Sequence, residues 1–338
     1  MVQSMRSKNI RISAIIPTHN RCHCLGDAII SLQRQDFPKD EYEIIVVDNN
    51  STDATPAVVE QCNRSGGKKI IYVPEPALGL HNARHAGARR SRGEILAFTD
   101  DDAIYDPHWL AGLLRYYDDP LVGCVGGKIL PLWEVEPPAW VNMLPSGFIS
   151  ILDLGDKPME LEHPGLYGVN FSIRKEILFR CGGFNPESFG AVWLGDGETG
   201  LLRKVLRAGY KLVYAPEAIC HHLVPKERLT VEYVRRRAAN EGACGSYNSF
   251  KQKRPGKLLL LGRSGALLLY AGVHDLMGRL SHAVGSQRLV YHHWRKAYGI
   301  SRMKYEFRLI FDQRLRELVL KDDWLNSDDG LRPHIGNP

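Results

Sequence analysis

The chain of 338 residues has no uninterrupted apolar run long enough to cross a bilayer. Its most apolar stretch, 258–273 (LLLLGRSGALLLYAGV), is broken by Arg263 and falls short of the ~20 residues a spanning helix needs. Cysteines number seven, at 22, 24, 62, 124, 181, 220 and 244, odd in count and widely scattered. That excludes a secreted disulfide framework and fits a reducing cytoplasm. Cys22-His23-Cys24 has no second Cys/His pair at zinc-finger spacing and reads as a turn. The opening MVQSMRSKNIR carries charge but no following signal-peptide core, because the apolar run at 12–16 is short and ends at a proline. Internal repeats and low-complexity segments are missing too, and a chain 44% hydrophobic and 24% charged is neither disordered nor collagenous.

What is present is unevenly charged. Residues 1–225 hold 23 Lys+Arg against 27 Asp+Glu, whereas 226–338 hold 21 against 11. The basic last third suggests an anionic counterpart, either a phospholipid surface or a phosphorylated substrate; a solvated basic helical face is the plainer alternative. The length accommodates two units, and the pattern changes near 225.

Through the first two thirds, β-branched runs alternate with amphipathic segments. Strands are expected near 12–17, 43–48, 69–73, 94–99 and 121–125, and helices near 25–35, 54–63, 80–91 and 107–117. Such alternation predicts an α/β fold, a mostly parallel sheet flanked by helices. Ligands then bind at the C-terminal strand ends, which here carry Pro17-Thr18-His19-Asn20-Arg21 and Asp48-Asn49-Asn50-Ser51-Thr52-Asp53. Helix capping accounts for Ser51 to Asp53 but not for Asp48, whose carboxylate can accept from a base N–H or a ribose hydroxyl.

The fourth strand ends in Asp100-Asp101-Asp102. Three adjacent carboxylates repel one another, and a divalent metal is the economical relief; an acidic helix cap is the alternative. Residues 126–165, rich in Gly, Pro and Trp, read as long loops, which in a compact domain are usually functional. A strand-like LYGVNFSI then leads to a helix, Gly182-Gly183-Phe184, the run Gly195-Asp196-Gly197-Glu198-Thr199, a helix over about 198–208 and a strand over 211–215. Beyond 226 the pattern is helical and basic, with Arg235-Arg236-Arg237 prominent, and the last dozen residues read as a loose tail.

The series PTHNR, EIIVVDNNSTD, GLHNARHAGARRSRGEILAFTDDD, GGF, GDGET and RAGYKLVYAPEAICHH, in that order, resembles the family-two glycosyltransferases of bacterial type. The match spans about residues 10–225. The resemblance implies the GT-A fold, Rossmann-like, here with a basic α-helical C-terminal extension. It implies an inverting enzyme that uses a nucleotide-diphospho-sugar, with UDP the family's commonest nucleotide, and Mn²⁺ or Mg²⁺. Pro17, Thr18 and Asn20 then match the first nucleotide-contacting loop, Asp48 the base-reading position and Arg84 a basic residue directed at the diphosphate or base. Asp100 and Asp102 match the ends of the D-x-D signature with Asp101 between them, Asp102 as the direct metal ligand and Asp100 on the ribose or its water. His222 matches a further metal or phosphate contact, a surface histidine being the alternative. The base position falls on Glu198 by counting back from Ala208-Gly209-Tyr210, with Asp196 as the alternative under a two-residue loop shift. The family's acidic pair is altered here, since Glu replaces the usual Asp and Gly197 replaces an acid. Trp193 is a candidate platform for an acceptor sugar and Asn170 a candidate partner of a sugar hydroxyl.

The expectation is therefore a glycosyltransferase domain over 1–225 and a basic helical region over 226–338 that associates with the cytoplasmic face of a membrane. Its partners would be a nucleotide-sugar donor and a glycan, lipid-linked or small-molecule hydroxyl acceptor, in cell-envelope polysaccharide synthesis. A sugar-phosphate nucleotidyltransferase should open with a Gly-rich loop, and PTHNR has no glycine. A sugar-nucleotide-binding scaffold without turnover is the non-enzymatic alternative, prompted by GDGET. Nucleic-acid binding lacks any zinc, RNP-like or helix-turn-helix signature.

Overall fold

The first strand, β1 (Ile12–Thr18), is buried along its whole length, as expected of a strand covered on both faces. The structure, a computed structural model, describes residues 9–326 except 190, 191 and 194, and omits the side chains of 188, 189, 192 and 193; Trp193 therefore lies outside the described side chains. After β1 come α1 (Cys22–Gln33), β2 (Tyr42–Asp48), α2 (Thr55–Arg64), β3 (Ile70–Pro74), α3 (Leu80–Arg90) and β4 (Ile95–Thr99). Next are β5 (Ala103–Tyr105), α4 (Trp109–Leu114), β6 (Val122–Trp133), β7 (Met159–Leu161), β8 (Asn170–Arg174) and α5 (Lys175–Arg180). The short β9 (Ser188–Phe189) and β10 (Val192–Trp193) pair with each other, followed by α6 (Gly197–Arg207) and β11 (Lys211–Val224). Four helices close the described chain: α7 (Val231–Lys253), α8 (Lys257–Ala283), α9 (Arg288–Phe311) and α10 (Gln313–Leu320).

The main sheet runs β3-β2-β1-β4-β8-β6-β11-β5, with β7 on β11. Its first four strands are parallel, and β8 enters antiparallel between β4 and β6. Because β2 and β4 flank β1 on opposite sides, the chain leaves β1 in two directions and opens a crevice at its C-terminal end. The register aligns Thr18 with Asp48, so the two strand-end residues stand side by side there.

The segment 126–165, expected as loops, departs from that reading. β6 continues to Trp133 alongside β11, and β7 forms within the segment. The glycines that suggested a loop serve close packing instead: a Cβ on Gly127 would meet the Ala218 carbonyl oxygen at 1.8 Å. Asn170 is likewise reassigned. It is fully buried, accepts from Trp109 Nε1 at 2.7 Å and donates to the carbonyls of Lys128 and Ala218 at 3.0 and 2.8 Å, which leaves no donor for a sugar.

The C-terminal helices share a core with the sheet domain. Val141, Phe148, Ile149 and Val224 pack with Val234, Ala238, Val290 and Trp294 in one buried cluster. Beyond α10 the chain returns to the sheet domain, where Leu325 joins the main core and the Trp324 N–H donates to the Gly182 carbonyl at 2.8 Å. Among the described residues no helix is long and apolar enough to cross a membrane.

Candidate functional site

Polar side chains gather where the sheet topology predicts, at the ends of β1, β2 and β4. Thr18 Oγ1 donates to Asp101 Oδ2 at 2.7 Å across the crevice. Asn20 adopts φ 53°, and its side-chain oxygen accepts from the Thr52 N–H at 2.7 Å, tying the first loop to the second. Asn is one of the few residues that takes a left-handed conformation readily. Asp48 is buried at the crevice floor, where it accepts from the Ser51 N–H at 2.8 Å and from the Tyr72 hydroxyl. Burial and this carboxylate push the Tyr72 phenol up. Asn49, passed over in the sequence, pins the approach to α3 by donating to the carbonyls of Glu75 and Ala77 and accepting from the Gly79 N–H.

The three aspartates divide their work. Asp101 turns toward Thr18 and Arg21, and burial pushes its carboxyl up to about 7 against the pull of Arg21. Asp102 is buried, and burial opposes its charge, but His222, Arg21 and Arg228 outweigh that and hold the carboxyl below the usual range. Arg21 Nη2 and Arg228 Nη2 both reach Asp102 Oδ2, at 2.7 and 2.9 Å. Asp100 is partly open; burial raises its pKa while the Arg84 charge opposes the rise.

His222 reaches this group because β11 pairs antiparallel with β5, setting His222 opposite Ala103. Successive residues on a strand face opposite ways. His221 accordingly points to Asp106 at 3.2 Å and is part-exposed, whereas His222 is buried and its Nε2 lies 3.4 Å from Asp102 Oδ1. Its Nδ1 lies 3.2 Å from the Ile149 carbonyl, which orients the ring, and its Nε2 is 3.0 Å from Arg228 Nη1, on the face where a cation would stand. Ligand atoms of Asp100, Asp102 and His222 all fall within 4.8 Å of one another.

Arg84, from the buried face of α3, lies between the aspartates and the candidate bases. Its Nη2 is 3.5 Å from Asp100 Oδ1 and its Nη1 3.5 Å from Glu198 Oε2, and the guanidinium carbon sits 5.1 Å above the Phe184 ring. A Cβ on Gly168 would meet Arg84 Nη2 at 2.2 Å, so a side chain there would push the guanidinium from its place between Asp100 and Glu198. The Gly168 N–H donates to Glu198 Oε1 at 3.3 Å. Arg84 Nε is buried with no hydrogen-bond partner among the described residues.

Glu198 and Asp196, alternatives in the sequence, occupy different surroundings. The Asp196 carboxylate accepts from Asn185 Nδ2 at 2.7 Å and pairs with Arg203 Nη1 at 3.1 Å, bound up against the body of α6. The crevice thus gathers Thr18, Arg84, Asp100, Asp101, Asp102, His222 and Glu198, with Pro17, Asn20 and Asp48 along its floor and rim. Two residues without a signature join it. Arg237 is the one member of the triple-arginine run that is not exposed; it reaches Glu241 at 3.2 Å, and the charges of Glu187 and Glu198 act on it. The turn phase of α7 separates it from exposed Arg235 and Arg236, and that phase was the readable signal.

Glu187 is the other. Burial pushes its carboxyl up to about 6, the Glu198 charge adds to the rise, and Arg84 and Arg237 oppose it. The unfolded chain releases this proton near 4.5 and the folded chain near 6, so this contribution to stability is full below pH 4.5 and is lost as pH rises through about 6. Glu187→Gln should flatten that part of the stability profile in thermal melts taken across the window. A variant whose slope matches the wild type would refute the carboxylate's placement beside Glu198.

A family profile described as "Glycosyl transferase family 2" matches residues 13–186. "Glycosyltransferase AglE" of Haloferax volcanii is 26% identical over 215 residues, covering 63% of this chain and 67% of that one. "Poly(ribitol-phosphate) beta-N-acetylglucosaminyltransferase TarS" of Staphylococcus aureus is 30% identical over 110 residues, 32% of this chain but 19% of that much longer one. Among solved structures, the mannosyltransferase PcManGT of Pyrobaculum calidifontis, in complex with GDP-Man and Mn²⁺, superposes with a TM-score of 0.60 at 22% identity, covering 90% of this chain and 88% of that one. S. aureus TarS 1–349 in complex with UDP-GlcNAc gives 0.51 at 17% identity, covering 88% and 92%.

Proposed function

Since the chain belongs to glycosyl transferase family 2, and is thereby a glycosyltransferase of GT-A fold, we propose that it moves a sugar from a nucleotide-diphospho-sugar to a hydroxyl acceptor by direct displacement with inversion. The observation that carries this reading is the Arg84 guanidinium, which touches Asp100 on one side and Glu198 on the other. One side chain thereby couples the end that would hold the diphosphate to the end that would take a proton.

In this reading Glu198 removes the acceptor hydroxyl proton as that oxygen attacks the anomeric carbon from the face opposite the nucleotide. The Gly168 N–H and Arg84 hold the Glu198 carboxylate in place. Arg84 balances charge on the departing diphosphate, a task suited to its set of donors, one of which has no partner among the described residues. Thr18, Asn20 and Asp48 line the nucleotide side, with Asp48 addressing the base. Asp196 serves the fold rather than the chemistry, because both of its oxygens are engaged away from Arg84.

The donor set Asp100, Asp102 and His222 fits a divalent cation, two hard carboxylates with an imidazole already oriented through its other nitrogen. Bound there, Mn²⁺ or Mg²⁺ would neutralise negative charge on the leaving diphosphate. Arg21 and Arg228 balance Asp102 through Oδ2, while Oδ1 faces His222 Nε2, so a cation would compete with Arg228 for that ring nitrogen.

Neighbouring structures hold GDP-Man in one case and UDP-GlcNAc in another, and UDP remains the proposed nucleotide for this chain. A calorimetric panel of UDP, GDP, CDP and dTDP with and without Mn²⁺ tests it. The expected result is metal-dependent binding of UDP, followed by a product of inverted anomeric configuration when the matching sugar conjugate is supplied. Metal-dependent binding of another diphosphate would correct the base. Binding without turnover would favour the sugar-nucleotide-binding scaffold, and no binding of any would remove the reading.

A further inference from the structure

Helix α8 is amphipathic the wrong way round for a globular protein. The residues it buries against its neighbours are mostly small or polar: Ser264, Ala271, Gly278 and Ser281, with Leu260 the one large exception. Its large side chains point outward: Leu258 is 86% exposed, Leu269 74%, and Val284, just past its end, 78%, with Val273, Leu276 and Leu280 each more than half exposed between them. From Leu269 to Val284 these positions recur every three or four residues and make one stripe. Gly262, Gly265 and Gly272 confirm its direction, since a Cβ at any of them would meet no atom within 4 Å. At 27 residues the helix is about 40 Å long. Phe307 and Phe311 of α9 extend the apolar surface at the end where Leu260 and Ile310 share a buried cluster. Contiguous apolar surface of this extent marks an interaction site.

Charge identifies the occupant. From Gly242 to Tyr305 the sequence holds 11 Lys+Arg and a single acid, Asp275, which pairs with Lys296 and Arg279. Lys253, Arg254 and Lys257 stand exposed at one end of the stripe, and Arg279 and Arg288 at the other. A second copy of the chain would bring two such basic faces together, whereas an anionic lipid surface accepts both the leucines and the cations. We infer that α8 lies in the plane of an anionic bilayer surface, its leucine stripe among the acyl chains and the flanking Lys and Arg at the phosphate level. The docking holds the catalytic crevice beside a membrane without any spanning segment among the described residues, and it does not depend on the identity of donor, metal or base.

The test uses the full chain and vesicles of phosphatidylcholine with or without phosphatidylglycerol. Wild-type protein is expected to cosediment with the phosphatidylglycerol vesicles at low salt and to dissociate substantially at about 1 M salt, where the Debye length falls to about 3 Å. Combined Leu269→Gln, Val273→Gln and Leu276→Gln should weaken cosedimentation at least about tenfold, the loss of several buried side chains, with an unchanged melting temperature because none of the three supports the core. In a second variant, Leu258→Trp, the added indole emission should shift to the blue only with phosphatidylglycerol vesicles. Three results would overturn the inference: wild-type protein left in the supernatant at low salt, glutamine and wild-type proteins that bind alike, or a wild-type dimer in sedimentation velocity that the glutamine substitutions split into monomers.

Discussion

Glu198→Gln is expected to lower kcat by about 10²–10⁴ with affinity for the nucleotide-sugar nearly unchanged, the usual cost of removing a positioned general base. The amide has the shape of the carboxylate and keeps an oxygen for the Gly168 N–H, but it cannot take a proton. Steady-state kinetics on the variant, paired with calorimetry on the donor, separates lost chemistry from lost binding. Asp196→Asn supplies the contrast. Its carboxylate is almost inaccessible and holds Asn185 and Arg203, so that substitution should lower the melting temperature while leaving turnover in whatever protein remains folded. A folded Asp196→Asn enzyme without turnover, beside an active Glu198→Gln enzyme, would reverse the assignment.

Asp102→Asn is expected to remove the Mn²⁺ dependence of nucleotide binding and most of the binding with it. The substitution takes away the carboxylate on which His222, Arg21 and Arg228 converge. It also takes a counter-charge from Arg228 and leaves Arg21 with Asp101 alone, at a cost of about 3 kcal/mol, the low end for a broken buried pair because Arg21 is a third exposed. Chemical denaturation should register that loss, and calorimetry with and without Mn²⁺ should register the other. Wild-type nucleotide affinity with its metal dependence intact would show that the cluster is an ion-pair knot and not a cation site.

Much of this site was legible because its members stand at strand ends, where an open α/β sheet delivers ligand contacts whatever the rest of the chain does. Thr18, Asp48 and the run from Asp100 to Asp102 are of this kind. Arg84 was legible only through resemblance, since an arginine in a basic helix carries no local mark of burial. Arg228 and Glu187 were not legible at all, and Arg237 only in the phase of its helix: each comes from a distant segment, and only folding brings their charges to bear on Asp102 and Glu198.

The middle of the chain shows the opposite failure. Gly126 and Gly127 punctuate a sequence and read as loop, yet Gly127 lies where β6 and the Ala218 carbonyl come closer than any side chain permits. Asn170, expected as a partner of a sugar hydroxyl, has an amide that instead completes hydrogen bonds for Trp109 and two buried carbonyls.

Periodicity and strand-end chemistry, both local properties, were enough by themselves to determine the alternating α/β architecture, the order of its polar loops and the basic helical extension. Tertiary structure alone decided three things. Strand pairing between β5 and β11 turned His222 inward and His221 outward. The surroundings of α6 separated Glu198 from Asp196. Helix packing sent the small face of α8 inward and its leucines out. Each depends on which surface another segment covers, and a hydrophobic pattern records that a face is apolar without recording what lies against it.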